Sequence, residues 1–166
     1  LLVDDFTTPQ SVSATGYHFT WTAASGDGIL GADRMLDVVA LESGLTADCD
    51  VSDGTLVISS PDTGFSVGVT WMGENSDGLG VDMSEGVGIR MHAKTEGPIS
   101  FVIDICSGSG GPECGQQTVY SRGGGDYENL FFAFSKFTSV DFTNVNEIDL
   151  TITSSLPRGD IFIDSV

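Results

Sequence analysis

The segment Gly86–Ile105 constrains the fold most, because its apolar residues recur at every second position. The apolar set is Ile89, Met91, Ala93, Ile99, Phe101, Ile103 and Ile105. Side chains point to opposite faces of a strand at successive residues, so this spacing predicts two strands that each bury one face. Thr95–Pro98 lies between them and contains a Gly-Pro pair, which favours a tight turn and hence a hairpin.

The polar face of the first predicted strand carries Arg90, His92 and Lys94. A basic stripe in an acidic chain indicates a contact for an anionic or hydroxyl-rich partner. The alternative is that these side chains offset acidic neighbours on the same sheet face, as surface ion pairs commonly do.

Composition extends the β prediction to the whole chain. The 166 residues are 40% hydrophobic and include 22 glycines, a mixture typical of a single all-β domain with many turns. Turn signals separate about eleven short candidate strands, which predicts an antiparallel jelly-roll β-sandwich over residues 1–166. Periodicity leaves Arg34–Leu41 open between helix and strand, and its β-branched pair favours strand.

The charge excludes some partners. Six Lys and Arg against 24 Asp and Glu give a formal charge of −18, which opposes binding to nucleic acid or anionic membranes. So many carboxylates favour a divalent cation, calcium above all. We see no apolar run long enough to span a membrane and no signal peptide.

The cysteines indicate the compartment. Cys106 and Cys114 bracket a glycine-rich loop, and we interpret them as a disulfide formed in an oxidising, extracellular or cell-surface environment. Cys49 is left over, as a buried thiol or an intermolecular link.

Several segments resemble secreted bacterial surface or matrix proteins of the PEP-CTERM-associated type. They are VDDFTTPQ at the start, LGADRML, GVTW with its acidic loop, and the run from SKFTSVDF to IFIDSV. The pattern is also similar to galactose-binding-like jelly rolls and carbohydrate-binding modules. The resemblance implies an extracellular jelly roll, and a structural calcium held by Asp4 or Asp5, the Gly31–Asp33 loop and Asp164. A second acidic candidate is the loop with Glu74, Asp77, Asp82 and Glu85.

Sugar binding requires exposed aromatic faces beside hydrogen-bonding groups. The candidates are Trp21, Trp71, Tyr120 and Tyr127, together with Arg90 and His92. Packing in the core or at its rim is the alternative for each aromatic residue. The phenylalanines at 131, 132, 134, 137 and 142 are expected in the core.

Two functions follow from these expectations, both without catalysis, because no nucleophile or acid–base motif stands out. One is a self-assembling matrix or filament subunit, in which Leu1, Leu2 and Val3 form a terminal strand that pairs with a neighbouring copy. The alternative is a carbohydrate-binding module for an extracellular polysaccharide.

Overall fold

The computed structural model describes residues 1–60, 62–73, 78–108, 113–156 and 158–166. Within these ranges twelve strands form two six-stranded antiparallel sheets that pack face to face. The predicted all-β jelly-roll sandwich is confirmed, and the buried apolar side chains form one cluster between the sheets.

Most neighbouring strands in each sheet are far apart in the sequence. The first sheet has the order β1 (Gln10–Thr15), β4 (Thr46–Ser52), β5 (Thr55–Ser60), β12 (Arg158–Ser165), β7 (Gly88–Lys94) and β10 (Tyr127–Ala133). The second sheet has the order β2 (Thr20–Ser25), β3 (Ala32–Ala40), β6 (Phe65–Gly73), β11 (Val145–Ser154), β8 (Ser100–Ser107) and β9 (Glu113–Tyr120). A short 3-10 helix, Phe134–Lys136, follows β10.

The alternating segment forms β7 and β8, and its apolar positions are buried as predicted. The expected hairpin is wrong, however, because β7 belongs to the first sheet and β8 to the second. Residues 95–98 cross the sandwich between them. The alternation of apolar residues shows which face of a strand is buried but not which strand is its neighbour. Two strands that cover the same core from opposite sheets therefore have the same sequence pattern as two strands of a hairpin.

The next features concern β3, the turn between β4 and β5, and the start of β2. The segment predicted as a strand over Arg34–Leu41 forms β3 as far as Ala40. Asp53 and Gly54 form the turn between β4 and β5 with φ of 51° and 79°, the left-handed values of a two-residue hairpin. The second strand, β2, begins only at Thr20, after the exposed Tyr17 and Phe19.

The amino-terminal residues do not form the predicted strand. The Val3 N–H donates to the Val166 carbonyl at 2.8 Å, the Val3 carbonyl accepts from Leu30 at 2.8 Å, and the Val3 side chain is buried. Leu1 and Leu2 are exposed. The last strand, β12, lies between β5 and β7 in the interior of its sheet. The hydrogen bonds expected to join copies at these termini are therefore made within this chain.

The cysteine predictions are resolved. Cys106 and Cys114 face each other on β8 and β9 and form the predicted disulfide. Cys49 is a buried thiol, and burial raises its pKa to about 12. No helix among the described residues is long and apolar enough to cross a membrane.

A buried polar network ties the amino-terminal segment to both sheets. Arg34 on β3 is fully buried and donates through Nη1 to Asp4 Oδ2 at 2.7 Å and through Nε to Gln10 Oε1 at 2.8 Å. Asp4 Oδ2 also accepts from the Trp71 indole at 2.8 Å, and Oδ1 accepts from the Phe6 N–H at 2.8 Å. Each charge is thus paired and hydrogen-bonded, as burial requires.

Replacing Asp4 with alanine is expected to lower the free energy of unfolding by about 3–5 kcal/mol, because it leaves the Arg34 guanidinium buried without its counter-ion. Urea denaturation of Asp4→Ala against the native protein measures this. Asp5→Ala is the matched control, since the Asp5 side chain bonds only the nearby Thr7 at the surface. Equal losses in the two variants would contradict the assignment of Asp4 as a buried anchor.

Candidate functional site

The outward side chains of the second sheet form a continuous polar surface, called here the acidic face. Strand pairing aligns them in rows across the sheet. One row runs from Trp21 through Asp37, Gly68, Thr151 and Val102 to Thr118, and the next contains Met35, Thr70, Asp149, Asp104 and Gln116. Five carboxylates, those of Asp33, Asp37, Asp104, Glu147 and Asp149, are half-buried on this face.

Hydrogen bonds hold the polar groups of the acidic face in place. Gln116 Nε2 donates to both carboxylate oxygens of Asp104 at 3.0 Å, and the Thr70 hydroxyl donates to Asp149. The hydroxyls of Ser66 and Thr153 bond each other at 3.0 Å on the same face. These carboxylates and hydroxyls keep further lone pairs that can accept from a ligand.

A glycine makes room at the centre of the acidic face. A Cβ atom on Gly68 would lie 2.2 Å from Asp37 Oδ2, so the Asp37 carboxylate occupies the space above this residue. Glycine in a strand interior weakens the strand and marks a close approach. The missing Cβ of Gly68 on β6 leaves space for the carboxylate of Asp37, which lies on the neighbouring strand β3.

Two of the carboxylates bind protons more tightly than usual. Burial and the nearby Asp149 charge raise the pKa of Asp37. Burial, a hydrogen bond to Asp149 and the charge of that residue raise the pKa of Glu147 to about 7. Clustered carboxylates with raised pKa values at an exposed face are typical of functional sites.

Exposed aromatic rings stand at both edges of the acidic face. Trp21 on β2 is 58% exposed, and Tyr120 on β9 is 69% exposed. Phe19, just before β2, is also exposed. Five interstrand spacings separate β2 from β9, which places the two edges about 24 Å apart. The face thus has a polar floor with an aromatic side chain at each edge.

The structure separates the predicted sugar-binding residues into three groups. Trp71 is fully buried with its indole bonded to Asp4, so its ring is not available to a ligand. Trp21 and Tyr120 belong to the acidic face. Arg90, His92 and Tyr127 lie together on the outer side of the first sheet, where the His92 and Tyr127 rings stack at 4.7 Å.

Sequence reasoning missed the carboxylates of the acidic face and assigned Phe131 to the core. Phe131 is 45% exposed, whereas the phenylalanines at 132, 134 and 137 are buried. The alternation of Tyr127, Asn129 and Phe131 along β10 indicates that Phe131 faces outward with the other two residues. It was obscured because five phenylalanines within twelve residues suggested a uniformly apolar segment.

The structure does not bring all of the predicted calcium ligands together, although Asp5 lies against the glycine-rich loop at Gly28. Asp4 is buried and its oxygens accept from Arg34, Trp71 and Phe6. Asp33 accepts from Ser25 at 2.5 Å on the second sheet, while Asp164 lies on the first sheet beside His92. Asp5 bonds Thr7 at the surface. Among the described residues no three His, Cys, Asp or Glu side chains are grouped to hold a metal ion.

The second acidic candidate is only partly described. Glu74 and Asp77 lie outside the described residues. Asp82 and Glu85 are exposed, and Asp82 Oδ1 accepts from the N–H and hydroxyl of Ser84 at 2.9 and 2.6 Å. These two bonds lower the pKa of Asp82.

The raised pKa of Glu147 predicts a pH-dependent stability. Its folded value of about 7 exceeds its ordinary value of 4.5, so the folded state holds this proton more tightly than the unfolded state. The resulting stabilisation is complete below pH 4.5 and is lost as the pH rises to about 7. We expect Glu147→Gln to flatten the fall in melting temperature over this window.

Scanning calorimetry at a series of pH values measures this effect. Glu85→Gln, at an exposed site, removes the same charge and should follow the native profile. A Glu147→Gln profile parallel to the native one would contradict the assignment.

No protein-family model and no curated protein matches the chain. Similar folds occur among solved structures. The family 11 carbohydrate-binding module of a cellulosomal cellulase of Clostridium thermocellum is 17% identical, with 99% of this chain and 90% of that chain covered and a TM-score of 0.49. PfGH50B is 11% identical over 72% of this chain and 20% of its own, with a TM-score of 0.51. The agarase AgWH50C is 12% identical over 70% and 20%, with a TM-score of 0.50.

Proposed function

We propose that the chain is a non-catalytic carbohydrate-binding domain, with the acidic face as the binding surface for a neutral polysaccharide. The observation that carries the proposal is the combination of exposed aromatic side chains at both edges with a hydrogen-bonded polar floor between them. Apolar ring faces of a sugar stack on aromatic side chains, and its hydroxyls need donors and acceptors.

Each component of the face has a role in this proposal. Trp21 and Tyr120 contact sugar rings at the two ends of the bound chain. The carboxylates of Asp37, Asp104 and Asp149 accept hydrogen bonds from sugar hydroxyls, which are charge-assisted and therefore strong. An open floor of this width accommodates an extended chain along its surface.

The charge of the floor selects among sugars. The carboxylates of the acidic face repel uronic acids and sulfated saccharides, because like charges brought together without a counter-ion are unfavourable. The preferred ligand is therefore uncharged.

The Glu147–Asp149 pair does not have the spacing of the two catalytic carboxyl groups of a glycosidase. Glycosidases hold their two carboxyl groups about 5–5.5 Å or about 6.5–9.5 Å apart, with the scissile bond between them. Glu147 and Asp149 instead bond each other directly, which leaves no room for a sugar between them. The Cys106–Cys114 disulfide supports an extracellular location, where such bonds persist.

Trp21→Ala and Tyr120→Ala are each expected to weaken binding of a neutral oligosaccharide by up to about tenfold, since stacking on an aromatic ring contributes about 0.5–1.5 kcal/mol. A glycan array identifies the ligand, and titration calorimetry gives the affinities. Leu156→Ala is the matched control, because Leu156 has the same exposed fraction of 58% and lies in the turn before β12.

Native affinity in both aromatic variants would contradict the proposed surface. The absence of any bound neutral glycan on the array would contradict the proposed function itself.

A further inference from the structure

A second set of exposed groups lies on the opposite side of the sandwich, on the outer face of the first sheet. Strands β7 and β10 pair there in three successive rungs: Lys94 with Tyr127, His92 with Asn129, and Arg90 with Phe131. Each rung joins a basic side chain to an aromatic or amide side chain. These six residues are called here the basic ladder.

Among the described residues, Arg90 and Lys94 form no salt bridge with a carboxylate. The salt bridges among the described residues are Arg34–Asp4 and His92–Asp164, and neither includes Arg90 or Lys94. The alternative interpretation of the basic stripe, that it offsets acidic neighbours, holds for His92, which is paired with Asp164, and not for Arg90 or Lys94. In a chain with 24 acidic residues, the exposed Arg90 guanidinium and the half-buried Lys94 ammonium, which lies over the Phe162 ring at 5.1 Å, are available to an external anion.

The middle of the ladder is held in a fixed arrangement. His92 Nδ1 lies 3.0 Å from Asp164 Oδ2, and since a carboxylate only accepts, Nδ1 carries the proton. Burial and the hydrogen bond from its hydroxyl to Asp164 raise the pKa of Tyr127. One carboxylate thus orients both stacked rings, and its own charge is engaged by them.

The ends of the ladder are suited to a ligand that has both charge and ring faces. Lys94 is the fourth residue after Arg90 along β7, which places their Cα atoms about 13 Å apart. Tyr127 and Phe131 are 42% and 45% exposed beside these cations. Arg90 and Phe131 also line a cavity of about 520 Å³ that continues the ladder at one end.

We propose that the basic ladder is a second binding site, for an acidic saccharide whose carboxylate or sulfate groups contact Arg90 and Lys94 and whose rings stack on Tyr127 and Phe131. Asn129 supplies an amide for the sugar hydroxyls. The site is independent of the acidic face, so the two sides of the sandwich bind saccharides of different charge.

Other polyanions fit this surface less well. A nucleic acid presents a dense row of phosphates to a chain of net charge −18 and requires many more cations than two. A run of Asp and Glu residues would contact the cations but lacks the apolar ring faces with which a sugar stacks on the exposed aromatic side chains. Asp160, exposed on neighbouring β12, further disfavours a densely charged ligand.

A glycan array of uronic-acid and sulfated oligosaccharides, with their neutral counterparts, tests the proposal on the whole chain. The acidic oligosaccharide bound most tightly is then titrated calorimetrically. Arg90→Gln and Lys94→Gln should each lower its affinity about tenfold or more, as expected for the loss of a charge-assisted contact. Raising the salt concentration should weaken binding further. Phe131→Ala tests the stacking contact and should also lower the affinity.

Lys136→Gln is the charge control, because this exposed lysine lies outside the ladder in the short 3-10 helix. Trp21→Ala and Tyr120→Ala should leave acidic-saccharide binding unchanged, which separates this site from the acidic face. The proposal is overturned if no acidic glycan binds, or if both glutamine variants keep native affinity. Equal binding of polyglutamate, unaffected by Phe131→Ala, would also overturn it in favour of an acidic peptide.

Discussion

The sandwich depends on one buried ion pair at its amino-terminal end. Arg34 is an inward-facing residue of β3, where the strand pattern would otherwise place an aliphatic side chain. Its guanidinium bonds Asp4, Gln10 and the Thr8 carbonyl, and it lies over the Phe6 ring at 5.5 Å. Because a buried charge without these partners is unfavourable by several kcal/mol, the segment before β1 has to adopt this one path.

The same network explains a strained residue. Phe6 has a φ of 54°, which is unfavourable for a bulky L-residue. Its side chain is fully buried and its N–H bonds Asp4, so the surrounding contacts hold it there. The amino-terminal path in turn places Val3 against Val166 and completes the edge of the core.

Because the core is filled from between the sheets, both outer faces are free to specialise. The second sheet presents carboxylates, and the β7–β10 side of the first sheet presents Arg90, His92 and Lys94 beside aromatic rings. Most of these side chains are fixed by bonds to neighbours on the same face, such as Gln116 with Asp104 and His92 with Asp164. Groups held in this way lose little conformational freedom when a ligand binds, which favours rigid, extended ligands such as polysaccharides.

The sequence by itself determined the class of fold, the buried face of most strands and the Cys106–Cys114 bond. Those properties follow from the two-residue period, from turn residues such as Asp53 and Gly54, and from the short loop between the cysteines. Only the tertiary structure decided which strands are neighbours. Pairing joins residues far apart in the chain, so it placed β7 and β8 in opposite sheets, brought Asp37 near Asp149, and left Asp164 beside His92 on the outer face while Asp4 is buried. It also decided that Trp71 is buried while Trp21 is exposed, because β6 lies inside its sheet with Trp71 pointing inward, and β2 lies at the edge with Trp21 pointing outward.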